Sequence, residues 1–294
     1  MPLSVQLGLL LALATAFVSI VGFLYKHRGA VDAPPVEWRH PVRSTIGLFS
    51  NRWWTLGIIV ATASWGLHVG ALALAPISLV QSVIAGGLVL LTVVAERLFN
   101  IPVTGREWVG VALTAAGLAF LAATLGETGS ERHSDFAGAT LAGYVILLSA
   151  ASLGVMVLAQ HSPARAGVLL GAAAGLQWGA SDVTIKALSD SLGEQGLLVL
   201  LDPLAAVILA LSLVGLVVSA RSLQLGDAVP VIAVTSAAAN LSTIASGLVV
   251  FGEPLPEGTF GIALRLVAFA LVICAAALTP GPVRAVGGPT PVRP

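Results

Sequence analysis

Cysteine is almost absent. The single one, Cys274, sits inside an apolar run, so the chain holds no disulfide framework and no CxxC metal motif. Charge is equally scarce: Asp, Glu, Lys and Arg together make 10% of the 294 residues, against roughly 25% in soluble domains. Lysine occurs only at Lys26 and Lys186. The formal net charge is zero, which removes any basis for recognising nucleic acid by overall charge. No GxxxxGKS or GxxxxGKT stretch is present, so ATP does not drive the chain directly. HExxH, GxSxG and DDxxD are lacking too, so the expectation is a protein that is not an enzyme and carries no cofactor.

What fills the chain instead is apolar. Hydrophobic residues make 57% of it and the mean hydropathy is +0.97. A soluble fold has too little polar surface to cover that much apolar surface, whereas a bilayer asks for about 20 mostly apolar residues per span. Nine segments qualify: 3–25, 53–75, 77–95, 107–126, 138–159, 165–188, 197–220, 228–251 and 259–279. The first runs past the length of a signal peptide, lacks a basic n-region and ends at Lys26 and Arg28, so it reads as a retained span. The expected fold class is all-α: a polytopic integral membrane protein of about nine transmembrane helices.

Nine spans make a charge pattern that a wrong count would scramble. Lys26, Arg28, Arg39, Arg43, Arg52, Arg97, Arg106, Arg165, Arg221, Arg284 and Arg293 fall on one side, while the other receives Arg132 and Lys186. Basic loops face the cytoplasm. The expectation is a cytoplasmic C-terminus, an external N-terminus and a bacterial plasma-membrane location, the last from the predominance of Arg, Ala and Gly. The 26–52 connector, with Pro34, Pro35, Trp38, Arg39, Arg43 and Arg52-Trp53-Trp54, suits either a segment on the anionic inner leaflet or a solvated loop. The tail, 280–294, reads as disordered.

Two stretches of the chain look alike. One runs from "ALAPISLVQS" at 73–82 through an apolar helix to Glu96, then a short connector and a span near Trp108. The other runs from "GDAVPV" at 226–231 through an apolar helix to Glu253, then a short connector and a span near Phe260. The glutamates lie 157 positions apart, and Lys26 and Lys186 lie 160 apart. This pairs spans one to four with spans six to nine, and leaves span five as the connector. The units are 1–126, a connecting helix within 127–164, and 165–279. An odd connector inverts the second four-helix unit, the architecture by which secondary transporters alternate access around a midplane site.

The element "LVVFGEPL" preceded by "GDAVPV", with its first-half counterpart "ALAPISLVQS…VVAERL", resembles the repeat signature of the drug/metabolite transporter (EamA-like) superfamily. The nine spans, the basic first loop, "NRWW" at 51–54 and "ASDVTIKAL" at 180–188 are most similar in pattern to NIPA-type magnesium transporters. Ser82 stands where the family pattern has a proline. The resemblance implies a transporter fold, places Glu96 and Glu253 as the repeat-motif glutamates in a capping or gating role, and makes Mg²⁺ a candidate cargo.

Ionisable side chains inside hydrocarbon are expensive, so each is a functional candidate. Asp182 is the clearest and is also the candidate metal ligand. Lys186, at i+4 on the same face, either tunes it or holds it in a structural ion pair. Asp202 before Pro203 either lies in span seven or caps its true start. Arg265 either binds an anionic group or pairs with Asp182, Asp202 or Glu253. His68 is a packing residue or a proton relay. Gln81, Gln177 and Asn240 offer hydrogen bonds to a cavity or between helices. By this topology His68, Gln81, Asp182, Lys186, Asp202 and Arg265 all fall in the outer half of the membrane, as an outward-facing polar vestibule would. Gly171, Gly175 and Gly179, and separately Gly66 and Gly70, form small-residue ridges for close packing.

The leading expectation is a secondary transporter of a small solute. Within it, Mg²⁺, which needs only one or two carboxylates, stands beside an organic solute walled by Trp65 and Trp178. A lipid-acting intramembrane enzyme would instead bring two acids and a histidine together, and a non-transporting scaffold would lock the polar cluster in salt bridges without a cavity. Membrane lipids and a small-molecule or ion substrate are the expected partners, without nucleic acid, and a homodimer is left open.

Overall fold

The computed structural model describes the chain except residues 1–2, 38–39, 75–79, 81–82, 85, 124–135, 196–197, 199–200, 253–258, 260, 265–266, 269 and 272–294. The described residues are helical, with no strand among them. α1 is Leu3–Asp32, α2 Pro41–Phe49, α3 Arg52–Leu74, α4 Leu90–Leu98, α5 Gly105–Ala123, α6 Gly138–Gln160, α7 Ala166–Gln195, α8 Pro203–Leu225 and α9 Ala228–Val249. Short 3-10 turns, Gly87–Val89 and Pro163–Arg165, precede α4 and α7. Four helices, α1, α6, α8 and α9, are long and apolar enough to cross a membrane by length and composition. The chain is a multi-pass membrane protein. Residues 272–279 of the expected ninth span, and 253–258 before it, lie outside the described residues; 261–264, 267–268 and 270–271 are helical.

Several helices run past the apolar stretches that mark them. α1 continues to Asp32 and α7 to Gln195, because a helix already hydrogen-bonded to itself propagates through polar residues at little cost. Local signals set other ends. Asp202 caps α8, its carboxylate accepting from the Leu204 N–H at 2.8 Å, with Pro203 in the first turn. Thr104 and Glu107 form a reciprocal capping box at α5: the Thr104 N–H donates to Glu107 Oε2 at 2.7 Å and the Glu107 N–H to Thr104 Oγ1 at 3.3 Å.

Helix ends gather on two faces. Tyr25 of α1 stacks on Trp53 at the start of α3 and meets Phe99 after α4 edge-on, with centroids 5.6 and 5.1 Å apart. Gly167 at the start of α7 lies against Gly226 after α8. Gln224 of α8 donates to the carbonyls of Ala30 and Pro34, both at 3.0 Å, and accepts from the Val36 N–H at 3.0 Å. The ends carrying Arg28, Arg52, Arg97, Arg165 and Arg221 therefore share one face. At the other face Tyr144 of α6 donates to the carbonyl of Ser242 in α9 at 2.7 Å, and Phe136 meets Phe251.

Small residues set the closest crossings. On α7, added Cβ atoms at Gly171, Gly175 and Gly179 would run into Thr235, Ala238 and Ser242 of α9, so that ridge is a packing seam. The other expected ridge is not: a Cβ at Gly66 meets nothing within 4 Å, and one at Gly70 meets only Leu11. α1 and α3 cross instead through Gly22, Gly29 and Gly57, where a Cβ on Gly57 would come 2.7 Å from Lys26 Cγ. Hydroxyls lock the seams, with Ser64 donating to the Thr15 carbonyl and Ser152 to the Ala173 carbonyl, at 3.0 and 2.9 Å. α9 is buried continuously from Ala228 to Thr235, whereas α6 exposes Ile146, Leu147, Leu153, Val157 and Leu158, a surface suited to lipid.

The basic connector holds α2. It is a helix, with Val42, Ile46 and Phe49 exposed along one side and Leu48 buried beneath.

Candidate functional site

α7 is packed between α6, α8 and α9, and its faces divide by residue type. At about 100° per residue, Trp178, Asp182 and Lys186 line up on one side, and Asp182 falls between the directions of Trp178 and Gly179. Gly179 faces α9. Trp178 faces α1 and α8: its ring centroid is 5.5 Å from that of Phe23, and its indole edge fills the space left by Gly215. Asp182 thus points between α1 and α9 into the molecule. Its side chain is exposed, although protein surrounds it closely. No hydrogen bond or ion pair engages it among the described residues.

Lys26 approaches from α1 just beyond Trp178. Its side chain is 4% exposed, its stem lies against Gly57, and its ammonium stands 3.7 Å from the Phe23 ring centroid and 5.1 Å from that of Trp178. These are cation–π contacts, which offset only part of a buried charge's desolvation. Beside Trp178, Gln177 is buried with its Oε1 unpartnered. The cluster is thus a cation and two rings, with a carboxylate one turn along α7.

The other expected residues are distributed around it. Lys186 holds its ammonium over the Phe251 ring at 4.1 Å. Asp202 is engaged as the α8 cap. His68 on α3 is half-buried with Nδ1 unpartnered. Asn240 on α9 donates to the Ser236 carbonyl at 2.8 Å, within its own helix. Glu96 is exposed near the end of α4. Gln81, Arg265 and Glu253 lie outside the described residues. Trp65 is 59% exposed and forms no part of the cluster. Among the described residues no three His, Cys, Asp or Glu side chains come together, so the converging acids and histidine of a lipid-acting enzyme are not seen there.

Sequence reasoning missed Lys26 and Phe23. Lys26 reads as the charge that closes a span, and only the Gly57 crossing buries it. The available signal was the i, i+3 spacing of Phe23 and Lys26 on a helix that continues to Asp32.

These helices and this cluster can be set beside known proteins. A probable magnesium transporter of the NIPA type from Arabidopsis thaliana is 24% identical over 278 residues, covering 90% of this chain and 78% of that protein. The chain is a relative of the NIPA-type proteins. This NIPA-like chain is also 28% identical over 111 residues to a probable 4-amino-4-deoxy-L-arabinose-phosphoundecaprenol flippase subunit, ArnE, from Serratia proteamaculans; that match covers 38% of this chain and 91% of the subunit. No family profile and no solved structure matches. Both relatives fit the drug/metabolite transporter resemblance carried by the sequence motifs.

Proposed function

We propose that the chain is a secondary transporter that moves a small solute across the cytoplasmic membrane by alternating access, through the cleft between α1, α7 and α9. The observation that carries this reading is Asp182: an unengaged carboxylate that is accessible yet deep among apolar helices. A scaffold gains nothing from that arrangement, whose cost is repaid only by something that binds. Asp182 is exposed, whereas Lys26 is buried where α1 and α3 close through Gly29 and Trp54.

The inverted repeat belongs to the same proposal, with units 1–126 and 165–279 joined by α6 within 127–164, nine spans in all. Its support is direction. α1 ends on the basic face where α7 begins, α3 begins where α8 ends, and α4 ends where α9 begins. Each of these three helices is thus antiparallel to its counterpart. A small relative matching 111 residues over almost its whole length also fits a chain of two units. The external N-terminus and cytoplasmic C-terminus follow from the charge distribution.

Mg²⁺ is the cargo named for the plant relative, and Asp182 with retained waters could hold it. Asp202 is not available as a second ligand while it caps α8. The two rings and the ammonium favour an organic solute instead. The deciding experiment is uptake into proteoliposomes under an imposed membrane potential, with Mg²⁺ and a panel of small organic solutes. Wild type should carry at least one, and Asp182→Asn should lose roughly tenfold or more, the worth of a charge-assisted contact. Equal fluxes in the two proteins would remove Asp182 from the path, and no flux of any solute would count against transport itself.

A further inference from the structure

We infer that the solute carries an anionic group, a carboxylate or a phosphate, which pairs with Lys26, and an apolar or aromatic part that rests on Trp178 and Phe23. The inference deepens the transporter reading and rests on it for the word solute; the binding claim stands on the geometry of the cluster alone.

The argument begins with an imbalance. Lys26 is 4% exposed, and among the described residues no carboxylate, carbonyl or hydroxyl accepts from its ammonium, whose contacts are the two rings. A lysine near a membrane interface ordinarily escapes burial by extending its head toward water. Lys26 does not, because its stem is fixed against Gly57 in the α1–α3 crossing. Backbone carbonyls nearby offer no relief, since those of α1 are spent within its helix. Buried charges are normally paired, and one left to ring faces alone is incompletely compensated. A buried lysine whose ammonium meets only ring faces marks a place where an anionic ligand completes the pairing.

The chemistry of the missing partner follows. Lys26 offers up to three donors and no acceptor, so it selects an anion. Trp178 and Phe23 meet at 56° and supply two apolar walls, which favours a flat or hydrocarbon body over a hydrated inorganic ion. A bare divalent cation is repelled here, because the buried ammonium faces it without a compensating carboxylate at the same point. Asp182 is exposed about 6 Å farther along α7 by helical rise, too far from Lys26 to neutralise it at contact and placed to take a donor or cationic group of the same solute rather than its anion.

The test uses the full chain, purified in detergent, with tryptophan-fluorescence and thermal-shift titrations of matched probes. These are benzoate, phenyl phosphate, benzyl alcohol, benzylamine and MgCl₂, with dihexanoyl phosphatidic acid to separate a lipid headgroup from a soluble anion. Benzoate or phenyl phosphate should bind wild type roughly tenfold or more tightly than the neutral and cationic analogues, the preference expected of one charge-assisted bond. Lys26→Gln should abolish that preference, and Lys26→Arg should keep part of it. Tighter binding of the phosphatidic acid than of phenyl phosphate would assign the anion to a lipid, and the reverse to a soluble solute; both uphold the anionic site.

Two results overturn the inference. One is equal affinity of wild type for the charged and neutral probes, which needs no variant and so survives any failure of Lys26→Gln to fold. The other is an anion preference that persists undiminished in folded Lys26→Gln. Failure of the transporter reading looks different: anions bind through Lys26, but proteoliposomes show no flux. Conversely, solute flux with no charge preference leaves transport standing and removes the anion.

Discussion

Asp202 and Asp182 lie in the second half of the chain and do opposite things with the same side chain. Asp202 accepts from the Leu204 N–H at 2.8 Å and precedes Pro203, so its carboxylate satisfies a helix terminus. Asp182 accepts nothing from the described residues and faces the cleft. Substitution should separate them. Asp202→Ala removes a cap and is expected to lower stability by about 1 kcal/mol, read as a drop in the thermal unfolding midpoint of the detergent-purified chain, while solute flux per folded molecule stays within about twofold of wild type. Asp182→Asn should leave the midpoint where it is and lose the flux. A flux loss in Asp202→Ala as large as that in Asp182→Asn would return Asp202 to the solute path. Lys186 shares a helix face with Asp182 by its i+4 spacing, and the structure adds the Phe251 ring at 4.1 Å from its ammonium. Spacing along a helix says which residues share a face, and nothing about the aromatic that another helix brings to it.

Among the elements, hydropathy located four long apolar helices but not their packing partners. α1, α6, α8 and α9 stand where apolar runs predict them, because a bilayer selects on length and apolarity, both properties of a single segment. Which small residues face a neighbour depends on rotation about the helix axis, which a uniformly apolar segment does not encode. The ridge at Gly171, Gly175 and Gly179 packs on α9, while Gly66 meets nothing within 4 Å, though both read alike as small-xxx-small. Burial of Lys26 belongs to the same class of fact, since it requires Gly57 from another helix. Gly175→Val should cost about 1–3 kcal/mol from overpacking against Ala238 and the Thr235 carbonyl. Gly66→Ala, in the interior of α3 with open space around it, should be neutral or stabilise by up to about 1 kcal/mol through helix propensity. Paired thermal-unfolding curves decide it: comparable losses at both positions would mean that Gly66 faces a partner, such as a second copy.

For the whole molecule, the question is direction across the membrane. Helix ends bearing Arg28, Arg52, Arg97, Arg165 and Arg221 converge on one face, joined through Tyr25, Trp53, Phe99 and Gln224. If that face is cytoplasmic, α6 must cross alone between the two units, since only an odd connector brings Ala166 to the face where α1 ends. Inversion of the second unit, and with it the capacity of two like halves to exchange shapes, depends on that one crossing. The scarcity of cysteine makes it directly measurable. With Cys274→Ser as background, single substitutions Ser44→Cys in α2 and Ser134→Cys before α6 sample the two sides. A membrane-impermeant maleimide should label Ser134→Cys in intact cells and Ser44→Cys only after permeabilisation. Labelling of both from the same side would make the number of crossings between them even, place the two units in the same orientation, and leave the cleft at Asp182 without the inverted partner that alternating access by this route requires.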